Sequence, residues 1–331
     1  MVKVFYDQDA DLSYLQGKTV AIIGYGNQGS AQALNLRDSG LQVIVGSIGD
    51  ESAERAKTDG FHVVPISEAV CQGDVVSLLI PDELQETVYE TDIRTNLSSE
   101  KVLNFAHGYN LRFGLITPPA DIDVIMVAPR MIGVNLRKAF LKGNGVPAYV
   151  AVWQDASGQA KQIMLAVAKA IGATRSGVIE TTVAEETELD LFTEQAVWPI
   201  IMRNLLLAYE VLVAEGFPPE IVVLELFASG EAAEIFQQMA RLGFFEQLQF
   251  HSHTSRYGTL SRSERMLPDE VKEKMHAVLQ QIRSGDFTSE WEEERQRGYP
   301  RLLELNKQAA NHPITQAEET VHKLVKIFLP K

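Results

Sequence analysis

The 331-residue sequence contains a single cysteine, Cys71, which excludes an intramolecular disulfide framework and a cysteine-rich zinc site. A reducing, cytoplasmic location is therefore expected. No apolar run approaches about 18 uninterrupted residues, so we expect no membrane span. The N-terminal segment, Met1–Leu15, is acidic and lacks the basic and then apolar pattern of a signal peptide.

Basic residues are also few. The chain has 30 Lys and Arg against 44 Asp and Glu, a formal net charge of −14. This charge argues against nucleic acid or an anionic membrane surface as the main partner. Hydrophobic residues make up 45% and charged residues 22%, which excludes gross disorder. Because one domain usually takes about 100–200 residues, two domains are expected.

The first half of the chain alternates short β-branched runs with helical patterns. A helix is predicted at Gln28–Asp38, stopped by Ser39-Gly40. The predicted strands are Thr19–Ile23, Gln42–Val45, Val75–Ile80, Val102–Ala106, Val124–Ala128 and Ala148–Val152. This alternation predicts βαβ units in a mostly parallel sheet.

Helical patterns dominate from about Thr174 onwards. Long apolar-periodic stretches cover Thr187–Glu215 and Ile221–Leu242, and Asp269–Ser284 follows them. The sequence therefore predicts an α/β domain at residues 1–180 and an all-helical domain at residues 181–331.

A glycine-rich turn, Gly24-Tyr25-Gly26-Asn27-Gln28-Gly29, fits the G-x-G-x-x-G pattern. It follows a predicted strand and opens a predicted helix, which is the context that makes the pattern informative. Glycines let the backbone turn tightly and approach a pyrophosphate, while the helix N-terminus offers free N–H groups. The turn predicts a dinucleotide site; the alternative is a tight turn without a ligand.

The choice of dinucleotide depends on the end of the second strand. Asp50 and Glu51 there would repel a 2′-phosphate, and no basic residue precedes Arg55. Ser47 and Ser52 can hydrogen-bond either a hydroxyl or a phosphate. The pattern favours NADH over NADPH, although both acids would also suit the first turn of the next helix.

An acidic segment without local cations lies between Arg175 and Arg203. Asp190 and Glu194 are four residues apart and share one helical face with apolar neighbours. Two such carboxylates repel each other unless a cation lies between them, and Mg²⁺ is the natural one. A solvated acidic helix is the alternative.

With these features in place, the chain resembles the ketol-acid reductoisomerase family, in its short bacterial form, from end to end. The matching segments are Asp9–Leu12, Gly24–Gly29, Ala31–Gly40, Pro81–Gln85, Phe105–Asn110, Met126–Pro129, Gln154–Gly158, Gly177–Thr182, Glu185–Glu188, Asp190–Phe192, Glu194–Val197, Ser284-Gly285 and His312–Ile314.

The resemblance implies a doubly wound Rossmann domain followed by a knotted helical domain that pairs into a homodimer with shared active sites, or a higher oligomer. It implies two Mg²⁺ ions, NAD(P)H and a small 2-acetohydroxy acid substrate. An alkyl group migrates between adjacent carbons, and the new ketone is reduced to a 2,3-dihydroxy acid of branched-chain amino-acid biosynthesis. Metal ions supply Lewis acidity for such a migration, and the dinucleotide supplies the hydride.

The resemblance also implies roles for individual residues. The catalytic positions are His107, Arg130 and Glu194. The metal positions are Asp190, Glu194, Glu225 and Glu231, and Ser252 matches a substrate contact. The cofactor positions, combined with those from the glycine turn and the second strand, are Gly24, Tyr25, Gly26, Asn27, Gln28, Gly29, Ser47, Asp50, Ser52, Asp82, Gln85 and Gly133.

The chain departs from the family at positions close to the chemistry. Arg130 stands where the family has lysine, and arginine does not exchange its proton. Trp198-Pro199 replaces small residues. Glu225 and Glu231 are six residues apart, against four in the family, so either Ser229-Gly230 breaks the helix or the second metal site is weakened.

Three functions stay open from the sequence. The first is a working ketol-acid reductoisomerase. The second is a divergent member that keeps only hydride transfer and reduces a related 2-keto acid or an imine. The third, least favoured because His107 and Asp190 are present, is a dinucleotide-binding protein without catalysis.

Overall fold

The computed structural model describes residues 2–325, so Met1 and the end of the predicted helical domain, 326–331, lie outside the described residues. The chain divides into two compact units after Asp190. The domain boundary after residue 180 stays a prediction.

The first unit is built on a nine-stranded sheet in the order β1-β9-β8-β7-β6-β5-β2-β3-β4. Its strands are β1 (Val4–Phe5), β2 (Thr19–Ile23), β3 (Gln42–Gly46), β4 (His62–Val64), β5 (Val75–Leu78), β6 (Val102–Phe105), β7 (Asp123–Pro129), β8 (Ala148–Gln154) and β9 (Val178–Glu180). Only the β7–β8 and β1–β9 pairs are antiparallel among these strands. The predicted mostly parallel sheet is confirmed.

Helices accompany the strands of this unit. They are α1 (Asn27–Asp38), α2 (Glu51–Thr58), α3 (Ile66–Gln72), α4 (Asp82–Val88), α5 (Tyr109–Arg112), α6 (Gly133–Leu141), α7 (Ala160–Ala170) and α8 (Val183–Phe192). Both faces of the sheet are buried, as β2 shows. Val20 and Ile22 enter one apolar core with α1 and α7, while Ala21 and Ile23 enter a second core with α3. Alternate residues of a strand point to opposite faces, so the sheet is covered on both sides and doubly wound.

The strand order reverses between β2 and β5. From β2 the chain proceeds outward to β3 and β4, and then returns to β5, which lies on the other side of β2. A crevice forms at such a reversal, outside the carboxyl ends of the parallel strands, and it is where ligands bind in sheets of this kind.

Three strands were missed by the sequence patterns: β1, β4 and β9. Each has only two or three residues, too few to show a period. The six predicted strands and the predicted helix at α1 are present, with ends that differ by at most two residues.

The second unit is helical over its described part, residues 191–325. Its α-helices are α9 (Trp198–Ala214), α10 (Pro219–Val223), α11 (Glu231–Leu242), α12 (His253–Met266), α13 (Glu270–Ser284), α14 (Asp286–Gln296), α15 (Pro300–Ala310) and α16 (Pro313–Leu324). The predicted continuous stretch Ile221–Leu242 is broken. A π-helical turn covers Leu224–Ala228 and ends at Ser229, and Gly230 is left-handed, with φ of 90°. A left-handed residue ends one helix and starts another, so the break that Ser229-Gly230 allowed is present.

The apolar core of the second unit is small. Tyr209, Val222, Val223, Ala228, Ile314, Ala317 and Val321 form its buried cluster. Tyr209 is the one buried residue of α9, although that helix also carries Trp198, Met202 and Val211, which are 48%, 61% and 60% exposed. By length and composition alone, residues 183–214 are apolar enough to cross a membrane, a weak criterion that core helices of other proteins also meet.

Candidate active site

The three glycines of the turn after β2 meet three different steric demands. Gly24 is left-handed, with φ of +90°, and a Cβ there would lie 2.5 Å from Ile80. A Cβ on Gly29 would lie 2.1 Å from the carbonyl oxygen of Gly24. A Cβ on Gly26 would meet no protein atom within 4 Å. Gly24 and Gly29 are therefore required by the fold, whereas Gly26 leaves open the space that a pyrophosphate needs.

The rest of the turn is fixed by packing and by α6. Tyr25 is 1% exposed and its hydroxyl donates to Asp59 Oδ2 at 2.8 Å, so any cofactor contact from Tyr25 uses its backbone. Gln28 Nε2 donates to the Met131 carbonyl at 2.8 Å. A Cβ on Gly133, the first residue of α6, would lie 2.0 Å from the Asn27 carbonyl oxygen. The predicted cofactor residues at 24–29 and 133 thus lie together.

The loop between β3 and α2 is organised around Asp50. Its Oδ1 accepts hydrogen bonds from Ser52 Oγ at 2.6 Å, from Ser47 Oγ at 3.4 Å and from the Ser52 and Ala53 N–H groups. These bonds, with Ser52 contributing most, lower the pKa of Asp50. Asp50 therefore caps α2, as an acid in this position was expected to do, and its role toward a dinucleotide stays a prediction.

A cavity of about 510 Å³ adjoins this loop. Its lining residues are Ser47, Ile48, Gly49, Ala53, Lys57, Val63, Val64, Pro65, Ile66 and Asp92. It lies beyond the carboxyl end of β3, where the ribose that bears the 2′-hydroxyl or 2′-phosphate of a bound dinucleotide would lie.

The carboxyl end of β5 leads into Asp82 and Gln85. Gln85 is 4% exposed; its Nε2 donates to the Ile80 carbonyl at 3.0 Å and to Asp82 Oδ1 at 3.1 Å. Burial raises the pKa of Asp82 to about 6, and the negative charges of Glu83, Glu186 and Asp190 act in the same direction, against His107. The pKa of this carboxyl group at the switch point is thus shifted towards neutral pH.

His107 follows β6 and is held by Glu186 of α8. The Nδ1 atom of His107 lies 3.1 Å from both carboxylate oxygens of Glu186, and the Gly108 N–H donates to Glu186 Oε2 at 3.0 Å. Burial opposes the charged imidazolium, but the Glu186 hydrogen bond and the carboxylates of Glu186, Asp82 and Asp190 outweigh it and raise the pKa of His107 to about 9. The ring is therefore protonated at neutral pH.

Arg130, at the end of β7, joins the same cluster. Nη1 donates to Glu186 Oε1 at 3.2 Å, and Nη2 donates to Asp190 Oδ1. The guanidinium also lies over the Tyr149 ring, 5.2 Å from its centroid. Although burial acts in the opposite direction, these carboxylates raise the pKa of Arg130 further. The cluster thus contains two cations, His107 and Arg130, around the fully buried carboxylate of Glu186.

Asp190 is the carboxylate of the cluster that a divalent cation could reach. The Asp190 carboxylate is 25% exposed and offers hard oxygen ligands, which suits Mg²⁺. Glu186 is occupied by three donors and is not available. Among residues 2–325 of one chain, no group of three or more His, Cys, Asp and Glu side chains could hold a metal ion. Asp190 therefore fits a metal site only if further ligands join it.

The remaining predicted residues lie in the second unit. Glu194 is in the π-helical turn Thr193–Val197, and Glu225 is in the π-helical turn before the helix break. Glu231 is the first residue of α11. Ser252 caps α12 and accepts the Ser255 N–H at 3.2 Å. Their assigned roles stay predictions.

Glu186 is the site residue that sequence reasoning missed. Glu186 lies four residues before Asp190, so the helical face shared by Asp190 and Glu194 also contains Glu186. Its complete burial could not be read from the sequence, because nothing local distinguishes it from the other acids between Arg175 and Arg203, which are Glu180, Glu185, Glu188, Asp190 and Glu194.

A glycine turn that leaves space for a pyrophosphate, next to buried ionised side chains at the same sheet edge, defines a dinucleotide-dependent oxidoreductase. Two family models match the chain: "Acetohydroxy acid isomeroreductase, NADPH-binding domain" at residues 14–177, and "Ketol-acid reductoisomerase, C-terminal domain" at residues 183–327. The chain belongs to the ketol-acid reductoisomerase family.

Individual relatives agree over the full length. The chain is 49% identical to a ketol-acid reductoisomerase (NADP(+)) of Pyrobaculum calidifontis over 98% of this chain and 99% of that protein. It is 48% identical, over the same shares, to the protein of that name from Pyrobaculum aerophilum. A solved NADH-preferring ketol-acid reductoisomerase from an uncultured archean aligns with a TM-score of 0.93 and 40% identity, covering 98% of this chain and 99% of the other.

Proposed function

We propose that this chain catalyses the ketol-acid reductoisomerase reaction of branched-chain amino-acid biosynthesis in the cytoplasm. A 2-acetohydroxy acid undergoes alkyl migration from C2 to C3, and the resulting 2-ketone is reduced by NAD(P)H. The observation that carries the proposal is the clustering of His107, Glu186, Arg130 and Asp190 at the sheet edge that also bears the glycine turn.

The residues of the cluster have separable tasks. Migration requires that a proton leave the C2 hydroxyl and that one reach the C3 oxygen. Glu186 holds Nδ1 of His107, so Nε2 is the nitrogen left to exchange a proton with substrate. Arg130 keeps its charge throughout and stabilises negative charge on substrate oxygens. When bound, divalent cations supply Lewis acidity and the dinucleotide supplies a hydride.

Asp190 and Glu194 would hold the cations, with Glu225 and Glu231 of a second copy completing the set. One chain alone gathers too few ligands within its described residues, which supports a site shared by two subunits. The exposed apolar side chains of α9, among them Trp198, Met202 and Val211, support a homodimer because a second copy would bury them.

The β3–α2 loop supports a preference for NADH. The Asp50 carboxylate has a lowered pKa and belongs to the loop whose residues Ser47, Ile48 and Gly49 line the cavity beyond β3. From this loop it would repel a 2′-phosphate and accept a bond from a ribose hydroxyl. Ser47 and Ser52 donate to that carboxylate, which aligns it. Lys57 also lines the cavity, but its Nζ is paired with Glu54 at 2.7 Å.

A second candidate is reduction without migration. Arg130 favours it, because arginine at the family's lysine position cannot pass a proton to or from substrate oxygens. In that case the substrate is a 2-keto acid that already carries its final carbon skeleton.

Two substrates separate these candidates. The purified protein is incubated with Mg²⁺ and NADH or NADPH, together with either 2-acetolactate or 3-hydroxy-3-methyl-2-ketobutyrate, the already migrated ketone. Oxidation of the dinucleotide with both compounds supports the full reaction. Oxidation with the migrated ketone alone supports the second candidate, and oxidation with neither contradicts both.

A further inference from the structure

Arg130 occupies a defined position between two carboxylates. Nη1 donates to Glu186 and Nη2 donates to Asp190, while the guanidinium lies against Tyr149. Only a third of the Arg130 side chain is exposed. Each terminal nitrogen therefore has its own acceptor, as the planar fork of arginine allows, whereas a lysine would have to serve both acceptors from one nitrogen.

The carboxylate bound by Nη2 is the one to which the proposed function assigns a divalent cation. Mg²⁺ binds carboxylate oxygens at about 2.0–2.1 Å, which requires direct access to the oxygen. The guanidinium already lies at Asp190 Oδ1. Two cations this close also repel each other strongly in a partly buried site. The ion pair with Arg130 and a cation on that oxygen therefore exclude each other.

The contacts of Arg130 with Glu186 and Tyr149 do not involve Asp190. They can hold the side chain in the site after the Asp190 bond is broken. Glu186 is fully buried and also binds His107, so it is a fixed acceptor. The guanidinium can thus stay bound to Glu186 and Tyr149 when a cation occupies Asp190.

We propose that Arg130 is a resident counter-ion of Asp190 that competes with a divalent cation for this carboxylate. The proposal rests on the proposed function, in which Asp190 is a metal ligand. Arg130 then sets the affinity of the enzyme for the cation, and it keeps Asp190 neutralised between turnovers.

The test is direct binding of Mn²⁺ to the full chain, measured by electron paramagnetic resonance without substrate or dinucleotide. Arg130→Gln removes the competing charge and should bind Mn²⁺ on the order of tenfold more tightly than the unmodified protein. Arg130→Lys keeps the positive charge but loses the two separate donor nitrogens, so its affinity should lie between the two. An unchanged or weaker affinity in these variants would overturn the proposal.

Two further variants keep the outcome unambiguous. Arg94→Gln breaks an exposed ion pair with Glu90 and should leave Mn²⁺ affinity unchanged. If Arg130→Gln does not fold because Glu186 loses a partner, Arg130→Lys carries the test. Asp190→Asn reports on the proposed function separately: if it binds Mn²⁺ as the unmodified protein does, Asp190 is not a metal ligand, whatever Arg130 does.

Discussion

Glu186 and His107 form a buried acid–imidazole pair, with both carboxylate oxygens 3.1 Å from Nδ1. Glu186 has no exposed side-chain surface and His107 has 19%. The pair joins the loop after β6 to α8, the helix that carries Asp190. A carboxylate in this position fixes the orientation of the imidazole and keeps it charged.

The charge of His107 should therefore depend on Glu186. In the metal-free protein, Glu186→Gln removes the main charge that opposes desolvation, so the pKa of His107 should fall from about 9 towards its ordinary value of 6.5. Nuclear magnetic resonance titration of the His107 ring, assigned by its loss in His107→Gln, measures this. The matched control is Glu188→Gln. Glu188 lies on the same helix as Glu186 but pairs with Arg112, so this variant should leave the His107 titration unchanged.

The same pair predicts how stability depends on pH. Because folding raises the pKa of His107 above its unfolded value, its contribution is fully present below about pH 6.5 and is lost as the pH rises through about 9. Urea unfolding should show Glu186→Gln destabilised by roughly 3 kcal/mol more at pH 6 than at pH 10. A difference that does not vary with pH would contradict the assignment.

The glycines of the turn should separate folding from cofactor binding. The Cβ added in Gly26→Ala would meet no protein atom, so this variant should lose less than about 1 kcal/mol of unfolding free energy. It should nevertheless bind NADH at least about tenfold more weakly. Gly29→Ala meets the Gly24 carbonyl and should cost about 3 kcal/mol. Urea unfolding and NADH fluorescence titration measure the two effects. Tight NADH binding by Gly26→Ala would show that no pyrophosphate approaches there.

Asp50 should affect stability and dinucleotide choice independently. Asp50→Asn keeps a capping oxygen for α2 but removes the charge, so the NADPH/NADH ratio of kcat/KM should rise about fivefold, equivalent to about 1 kcal/mol of repulsion, with little loss of stability. Asp50→Ala should also lose about 1 kcal/mol of stability, because the cap is gone. If the ratio stays constant in both variants, Asp50 only caps the helix.

The sequence was most informative where a period or a steric rule applies. The strands β2 and β5 and the Gly24–Gly29 turn follow from β-branched runs and from the need for glycine. The strand β4 is too short to show a period, and the burial of Glu186 depends on contacts with residues up to 79 positions away. Such contacts leave no local pattern, so the most buried acid of the site could be found only in three dimensions.

Whether this chain moves an alkyl group as well as a hydride can be read from the fate of a labelled carbon. 2-Acetolactate labelled with ¹³C in the methyl group on C2 is converted with Mg²⁺ and NADH, and the product is examined by nuclear magnetic resonance. We expect 2,3-dihydroxy-3-methylbutanoate with the labelled methyl on C3. The unrearranged 2,3-dihydroxy-2-methylbutanoate, with the label still on C2, would show that the alkyl group does not migrate.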